Sequence, residues 1–223
     1  MSVYDLSRRL VAEALGTGLL VCTVVGSGIM ADRLTDDVAL ALLANMVATG
    51  AILVVIITMF GAISGAHFNP AVSIGFLANR SLPAKETAPY IIAQIAGGVA
   101  GAITAHLMFE LPAIQIAVTQ RTGPAQWFAE FVAAFGLMAA ILASIRFEPK
   151  SVAWVVGLYI SAAYWFTAST SFANPAVTIA RALTDTFSGI RPVDVPAFVV
   201  AQILGATCAV FVMRWLLQPS SER

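Results

Sequence analysis

Charge is scarce in this sequence. Only 11% of its 223 residues are Asp, Glu, Lys or Arg, against 59% apolar ones, and the mean hydropathy is +0.87. Soluble domains carry about a quarter charged residues. So few leave too little to solvate a surface, and the solvent for most of the chain is lipid. The twelve basic and twelve acidic residues cancel and form no basic stretch, which excludes a nucleic-acid partner. Cysteine is nearly absent. Cys22 and Cys208 both lie in apolar runs, far from any metal-ligand spacing, and read as small core residues. Two histidines and no nucleophile–base set, nucleotide motif or metal spacing argue against an enzyme, and no cofactor or metal is expected.

What is there is a series of long apolar runs separated by short charged islands. A spanning helix needs about 20 mostly apolar residues. Six such spans are expected, at 9–30, 38–60, 87–108, 126–146, 151–168 and 194–217. The first holds Glu13 and runs too long for a secretory signal, despite the arginine pair Arg8-Arg9. Two further segments, NPAVSIGFLANR from Asn69 and NPAVTIARALTD from Asn174, are apolar but too short to span, at about three helical turns each.

These segments belong to an internal repeat. The two NPAV strings stand 105 positions apart, Ala12-Glu13 returns as Ala129-Glu130, and Ala93-Gln94-Ile95 returns as Ala201-Gln202-Ile203. Three spans per repeat is an odd number, so the halves, approximately 8–110 and 125–217, enter the membrane from opposite faces within one domain. Both short helices then begin near the midplane. Eight basic residues fall on the side of the N-terminus and four on the other, which places both termini in the cytoplasm.

Asn69-Pro70-Ala71 and Asn174-Pro175-Ala176 are good helix starts. Asn caps orphan N–H groups, and Pro at the first position has φ already set. Starting a helix at mid-bilayer is tolerated only inside protein or beside a watery cavity. Two such starts meeting tip to tip imply a polar path through the centre. It is rich in N–H donors and electropositive from the helix dipoles, so it admits neutral oxygen-bearing molecules and opposes cations. One NPA alone is an ordinary helix start; two in matched positions are specific.

The chain resembles the aquaporin and aquaglyceroporin (major intrinsic protein) family over roughly residues 8–217, on SGAHFNPAV, SFANPAV and the two membrane glutamates. The resemblance implies an all-α bundle of six tilted helices and two re-entrant half-helices, a homotetramer with one pore per subunit, and passive passage of small neutral solutes and water. For a helical bundle, an inner (plasma) membrane is the natural location. Glu13 and Glu130 are expected to accept hydrogen bonds from the re-entrant loops, with Gln94 and Gln202 bracing the same loops; a proton relay is the alternative. His67 resembles a pore-loop histidine on the cytoplasmic side, either a neutral lining residue or a gate. His106 is read as incidental.

One departure stands out. Family members carry Arg directly after the second NPA, where this chain has Val177. Spacing assigns the other filter positions to Thr49, Ser171 and Tyr164, the last by helix register; counting back from Asn174 gives Ala162 instead. An uncharged filter of hydroxyls and one apolar wall suits glycerol, urea-like solutes or neutral metalloid hydroxides such as arsenous acid, and partly methylated, more apolar ones too. A water-selective channel and, further off, a coupled secondary transporter built on the glutamate pair are the alternatives. Arg181, one turn beyond Val177, either restores the lost charge in the outer vestibule or bonds loop carbonyls or Asp185 at i+4.

Overall fold

A computed structural model describes residues 3–219 of the chain. Its helices are α1 (Leu6–Leu34), α2 (Val38–Ser64), α3 (Pro70–Ala78), α4 (Ala84–Met108), α5 (Pro124–Phe147), α6 (Val152–Phe166), α7 (Pro175–Arg181) and α8 (Val195–Leu216). The order long, long, half, long occurs twice.

Local chemistry sets the boundaries. Asp5 accepts the Arg8 amide at 2.9 Å and starts α1 at Leu6, so the helix outruns the expected span at both ends, by three residues and by four. Asp37 caps α2 through the amides of Ala39 and Leu40. Gly65, at φ 90°, ends α2 in the left-handed conformation that glycine adopts without a Cβ clash.

Five helices are long and apolar enough to cross a membrane by length and composition. The sixth crossing is shorter than expected: α6 has 15 residues, about 22 Å of helix. A 3-10 turn at Pro149–Ser151 extends it at one end and the non-helical run 167–174 at the other. The half-helices are also shorter than three turns, with nine residues in α3 and seven in α7.

Helices meet where side chains vanish. A methyl on Gly97 or Gly101 of α4 would fall onto the carbonyl oxygens of Ala14 and Gly18 in α1, and one on Gly205 of α8 onto that of Phe131 in α5. Between α2 and α6, a methyl on Gly157 would lie 2.7 Å from the Gly50 carbonyl oxygen. Close approach of this kind is how helices associate in lipid, where no hydrophobic force drives them together. Buried Asn45 adds a polar tie, donating from α2 to the Val24 carbonyl at 2.8 Å and to Ser27 Oγ at 2.9 Å in α1. Large apolar side chains such as Phe128, Leu158 and Phe211 stand about two-thirds exposed on the outside of the bundle (67%, 65% and 63%), an arrangement suited to hydrocarbon.

The start of α1 and the end of α8 lie on one side. Arg9 of α1 pairs with Glu86 at 2.8 Å, and Arg214 of α8 donates to Asn79, so the 79–86 connection holds both helix ends. On the far side the loops 109–123 and 182–194 knit together through Gln115 N–H to Leu183 O, Ala117 N–H to Ala182 O and Arg191 N–H to Thr119 O. His106 is not incidental to this cap. It is fully buried, with Nδ1 2.9 Å from the Ala113 carbonyl and Nε2 2.7 Å from Thr184 Oγ1, and it fastens both loops to α4.

Candidate functional site

The two half-helices meet at their N-termini in the middle of the bundle. Asn69 Oδ1 accepts the amides of Ala71 (2.9 Å) and Val72 (3.4 Å), and Asn174 Oδ1 those of Ala176 (3.0 Å) and Val177 (3.3 Å). Each asparagine also reaches across the junction. Asn69 Nδ2 donates to Ala173 O at 2.7 Å, and Asn174 Nδ2 donates to Phe68 O at 2.8 Å. An amide nitrogen carries two hydrogens. One is therefore spent locking the halves together, which sequence spacing did not reveal, and one remains for the cavity. Only the asparagines of the two NPA boxes line that cavity; Pro70, Ala71, Pro175 and Ala176 are buried behind them.

The loops entering the junction hold an unusual backbone. Ala66 (φ 50°) and Phe68 (φ 48°) have counterparts in Ser171 (51°) and Ala173 (48°), all left-handed without being glycine. Each such residue costs on the order of 1–2 kcal/mol and persists only where its surroundings over-determine it. The over-determination comes from the membrane carboxylates. Glu13 accepts from His67 N–H (3.0 Å), Phe68 N–H (2.7 Å), Ser64 Oγ (2.6 Å) and Gln94 Nε2 (2.8 Å). Glu130 accepts from Phe172 N–H (2.9 Å), Ala173 N–H (2.8 Å) and Gln202 Nε2 (2.5 Å). Gln94 and Gln202 each donate onward to the half-helix, at Ser73 and Thr178. Neither glutamate lines the cavity, so they stand behind the loops as braces and off the path a relayed proton would take.

One narrow cavity, of about 90 Å³, runs between the halves from Ile145 and Val152 near the terminal side to Arg181 on the far side. Thr49, Tyr164, Ser171 and Val177 all line it. The Tyr164 hydroxyl donates to Thr49 Oγ1 at 3.2 Å, joining α6 to α2 in the wall. Ala162 does not line it and is exposed on the outside of α6, so the helix register places the aromatic inward. Among the described residues, the buried Ser171 hydroxyl has no protein partner. A passing solute can therefore take that hydrogen bond. Leu20, Val24, Leu53 and Ile160 make most of the remaining wall apolar.

His67 lines the other end, its Nδ1 3.0 Å from Ser73 Oγ and its ring stacked on Phe76 at 4.5 Å. Arg181 also lines the cavity and is buried. Its Nε donates to the Ser188 carbonyl, and its guanidinium lies 3.4 Å from the Phe172 ring centroid. Asp185 is not its partner and accepts the Val118 amide instead, because α7 ends at Arg181 and the i+4 geometry ends with it. Phe172, the platform for this arginine, carries no motif of its own; only its place opposite His67 in the repeat could have pointed to it.

A helical bundle with one cavity running past two capped half-helices that meet at its centre is the architecture of a membrane channel. The comparisons agree. The sequence model of the family described as "Major intrinsic protein" matches residues 1–150 and again 144–223. The chain is 65% identical over 220 residues to "Aquaglyceroporin AqpS" of Rhizobium meliloti (strain 1021), covering 99% of this chain and 94% of that one. It is 32% identical to "Aquaporin NIP6-1" of Arabidopsis thaliana, over 91% of this chain and 66% of the relative. Among solved structures, the aquaglyceroporin from Plasmodium falciparum superposes with a TM-score of 0.74 at 23% identity, covering 98% of this chain and 99% of that one, and thus shares its fold. The chain belongs to the major intrinsic protein family: it is an integral membrane protein and a passive channel, not an enzyme.

Proposed function

We propose that this channel passes small uncharged solutes of the glycerol class, with urea-like molecules, neutral metalloid hydroxides such as arsenous acid, and some water. The observation that carries the reading is Val177. It stands in the cavity wall directly after the second NPA, in the same lining as Thr49, Tyr164 and Ser171. An aliphatic side chain there is shorter than an arginine, donates nothing and leaves room for a carbon skeleton. The spare Asn69 and Asn174 hydrogens offer partners to solute oxygens, and among the filter hydroxyls Ser171 is the free one, since Tyr164 donates to Thr49 and Thr49 to the Asn45 carbonyl. The name of the 65% identical relative, an aquaglyceroporin, supports the same class.

We assign Thr49, Tyr164, Ser171 and Val177 as the selectivity filter, the two asparagines as the central donors, and His67 as a lining residue of the opposite mouth. The chain acts as one domain of two inverted repeats in a cell's inner (plasma) membrane. Both termini face the cytoplasm, since the terminal side holds eight of the twelve basic residues. Four copies, each with its own pore, form the assembly that family resemblance implies.

Stopped-flow light scattering on proteoliposomes tests the filter. Wild type and Val177→Arg are challenged in turn with water, glycerol and arsenous acid. Wild type should pass all three, and Val177→Arg should keep water while losing most of the larger solutes. A wild type that passes water alone makes this a water-selective channel and removes the role given to Val177.

A further inference from the structure

The repeat that duplicates the NPA segments also duplicates a stacked pair at each mouth, with its chemistry exchanged. Each pair joins the residue two before the NPA asparagine to the residue seven after it. At the mouth on the terminal side the pair is His67 on Phe76, at 4.5 Å and 13°. At the far mouth it is Phe172 under Arg181, at 3.4 Å. All four side chains line the cavity. In the first half the half-helix carries the aromatic ring. In the second it carries a guanidinium, which stays charged at any physiological pH.

That guanidinium is held in place without a directly paired carboxylate. Arg181 is 3% exposed and makes no ion pair among the described residues. A second arginine reinforces it. Arg121, from the α4–α5 loop, lies 5.1 Å from the same Phe172 ring, and its Nε donates at 2.8 Å to Gly189 O, the carbonyl after the one Arg181 uses. The nearby carboxylates are engaged elsewhere. Asp185 takes the Val118 amide, Asp194 the Arg191 side chain and the Arg121 amide, and Glu130 the loop amides and Gln202. Two positive groups thus converge on one ring at the entrance to an apolar-walled pore, where a like charge is poorly screened.

We propose that Arg181, seated on Phe172 and backed by Arg121, is the cation barrier of this channel. It acts about 6 Å outward of Val177, one helical turn along α7. The two properties that one arginine would combine after the NPA are then separated along the pore. Val177 sets the width, and Arg181 sets the charge. A neutral solute meets Arg181 only as a hydrogen-bond donor, since one of its five N–H groups goes to Ser188. Sodium, potassium or hydronium must pass a fixed positive charge before losing its remaining water.

The inference rests on the neutral-solute reading, and the test separates the two. Wild type, Arg181→Gln, Arg181→Met and Arg181→Lys are reconstituted into vesicles loaded with a sodium-sensitive dye. Sodium entry under an imposed potential and glycerol swelling are measured on the same preparations. Wild type should swell in glycerol and hold sodium out. The two neutral variants should still swell but admit sodium about tenfold faster or more, and Arg181→Lys should hold it out. A structural role alone would not follow the charge. Neutral variants that swell and remain as sodium-tight as wild type overturn the barrier but leave the neutral-solute channel standing. Loss of swelling in all three variants, Arg181→Lys included, would make Arg181 a structural residue and also overturn the barrier. A wild type that does not swell in glycerol overturns the neutral-solute reading, and the barrier argued from it.

Discussion

Replacing Glu13 by Ala tests whether the membrane carboxylates hold the pore loops. Glu13 is fully buried and receives four donors, two of them the amides of His67 and Phe68. Truncation leaves both amides without an acceptor, at roughly 1–3 kcal/mol each, and strands the Gln94 and Ser64 groups as well. Some water can enter from the cavity beside His67, so the loss should be about 3–5 kcal/mol, the range for breaking a buried charged network. For a chain of this length that corresponds to a fall of roughly 10 °C in melting temperature. The assay is thermal unfolding in detergent with a thiol-reactive fluorophore on a Cys208→Ser background, because Cys208 is exposed and Cys22 on α1 is partly buried. Glu13→Gln keeps one acceptor oxygen and should fall between wild type and Glu13→Ala. If Glu13→Ala melts within about 2 °C of wild type and still conducts glycerol, the brace argument is wrong.

Ser171→Cys should make the channel sensitive to mercurials, reversibly with a thiol reductant, because the Ser171 hydroxyl lies free in the cavity wall; swelling that ignores mercury would remove Ser171 from the path. Gly97→Leu should abolish the folded channel, since even a methyl there strikes the Ala14 backbone, and overpacking costs about 1–3 kcal/mol or more; size-exclusion profiles of a fluorescent fusion would show aggregation, and a normal profile would contradict the close α1–α4 contact. His106→Ala should loosen the far cap by about 1–3 kcal/mol through loss of its bonds to Ala113 and Thr184. Hydrogen exchange in loops 109–123 and 182–194 would report the loosening, and unchanged protection there would count against the tether.

The junction and its braces were legible because they are written in matched positions. Asn69 and Asn174, Glu13 and Glu130, and Gln94 and Gln202 each point to their counterpart, and a carboxylate in a membrane helix demands donors wherever it lies. The filter position on α6 was less legible for a geometric reason. Counting back from Asn174 to Ala162 assumes that both halves leave their helix at the same point. In the structure α2 runs to Ser64 and α6 stops at Phe166, so helical rise and extended rise are mixed differently in the two loops. The Arg181–Asp185 pairing failed because it assumed a helix where α7 had ended. Arg121 and His106 act through contacts between segments far apart in sequence, and no local spacing encodes those, while Phe172, nine residues before Arg181, is marked only by the repeat.

The crossed asparagine bonds bear on when the channel can be finished. Asn69 waits for the carbonyl of Ala173, which leaves the ribosome 104 residues later, and Phe68 O waits for Asn174. At ordinary synthesis rates that interval is about 5–20 s, during which the first re-entrant loop sits in the membrane with its keystone unset. The last polar bonds of the first half are therefore supplied by the second. Conduction begins as a property of the whole chain, and a chain stopped after α5 has four long helices and one half-helix but no closed centre.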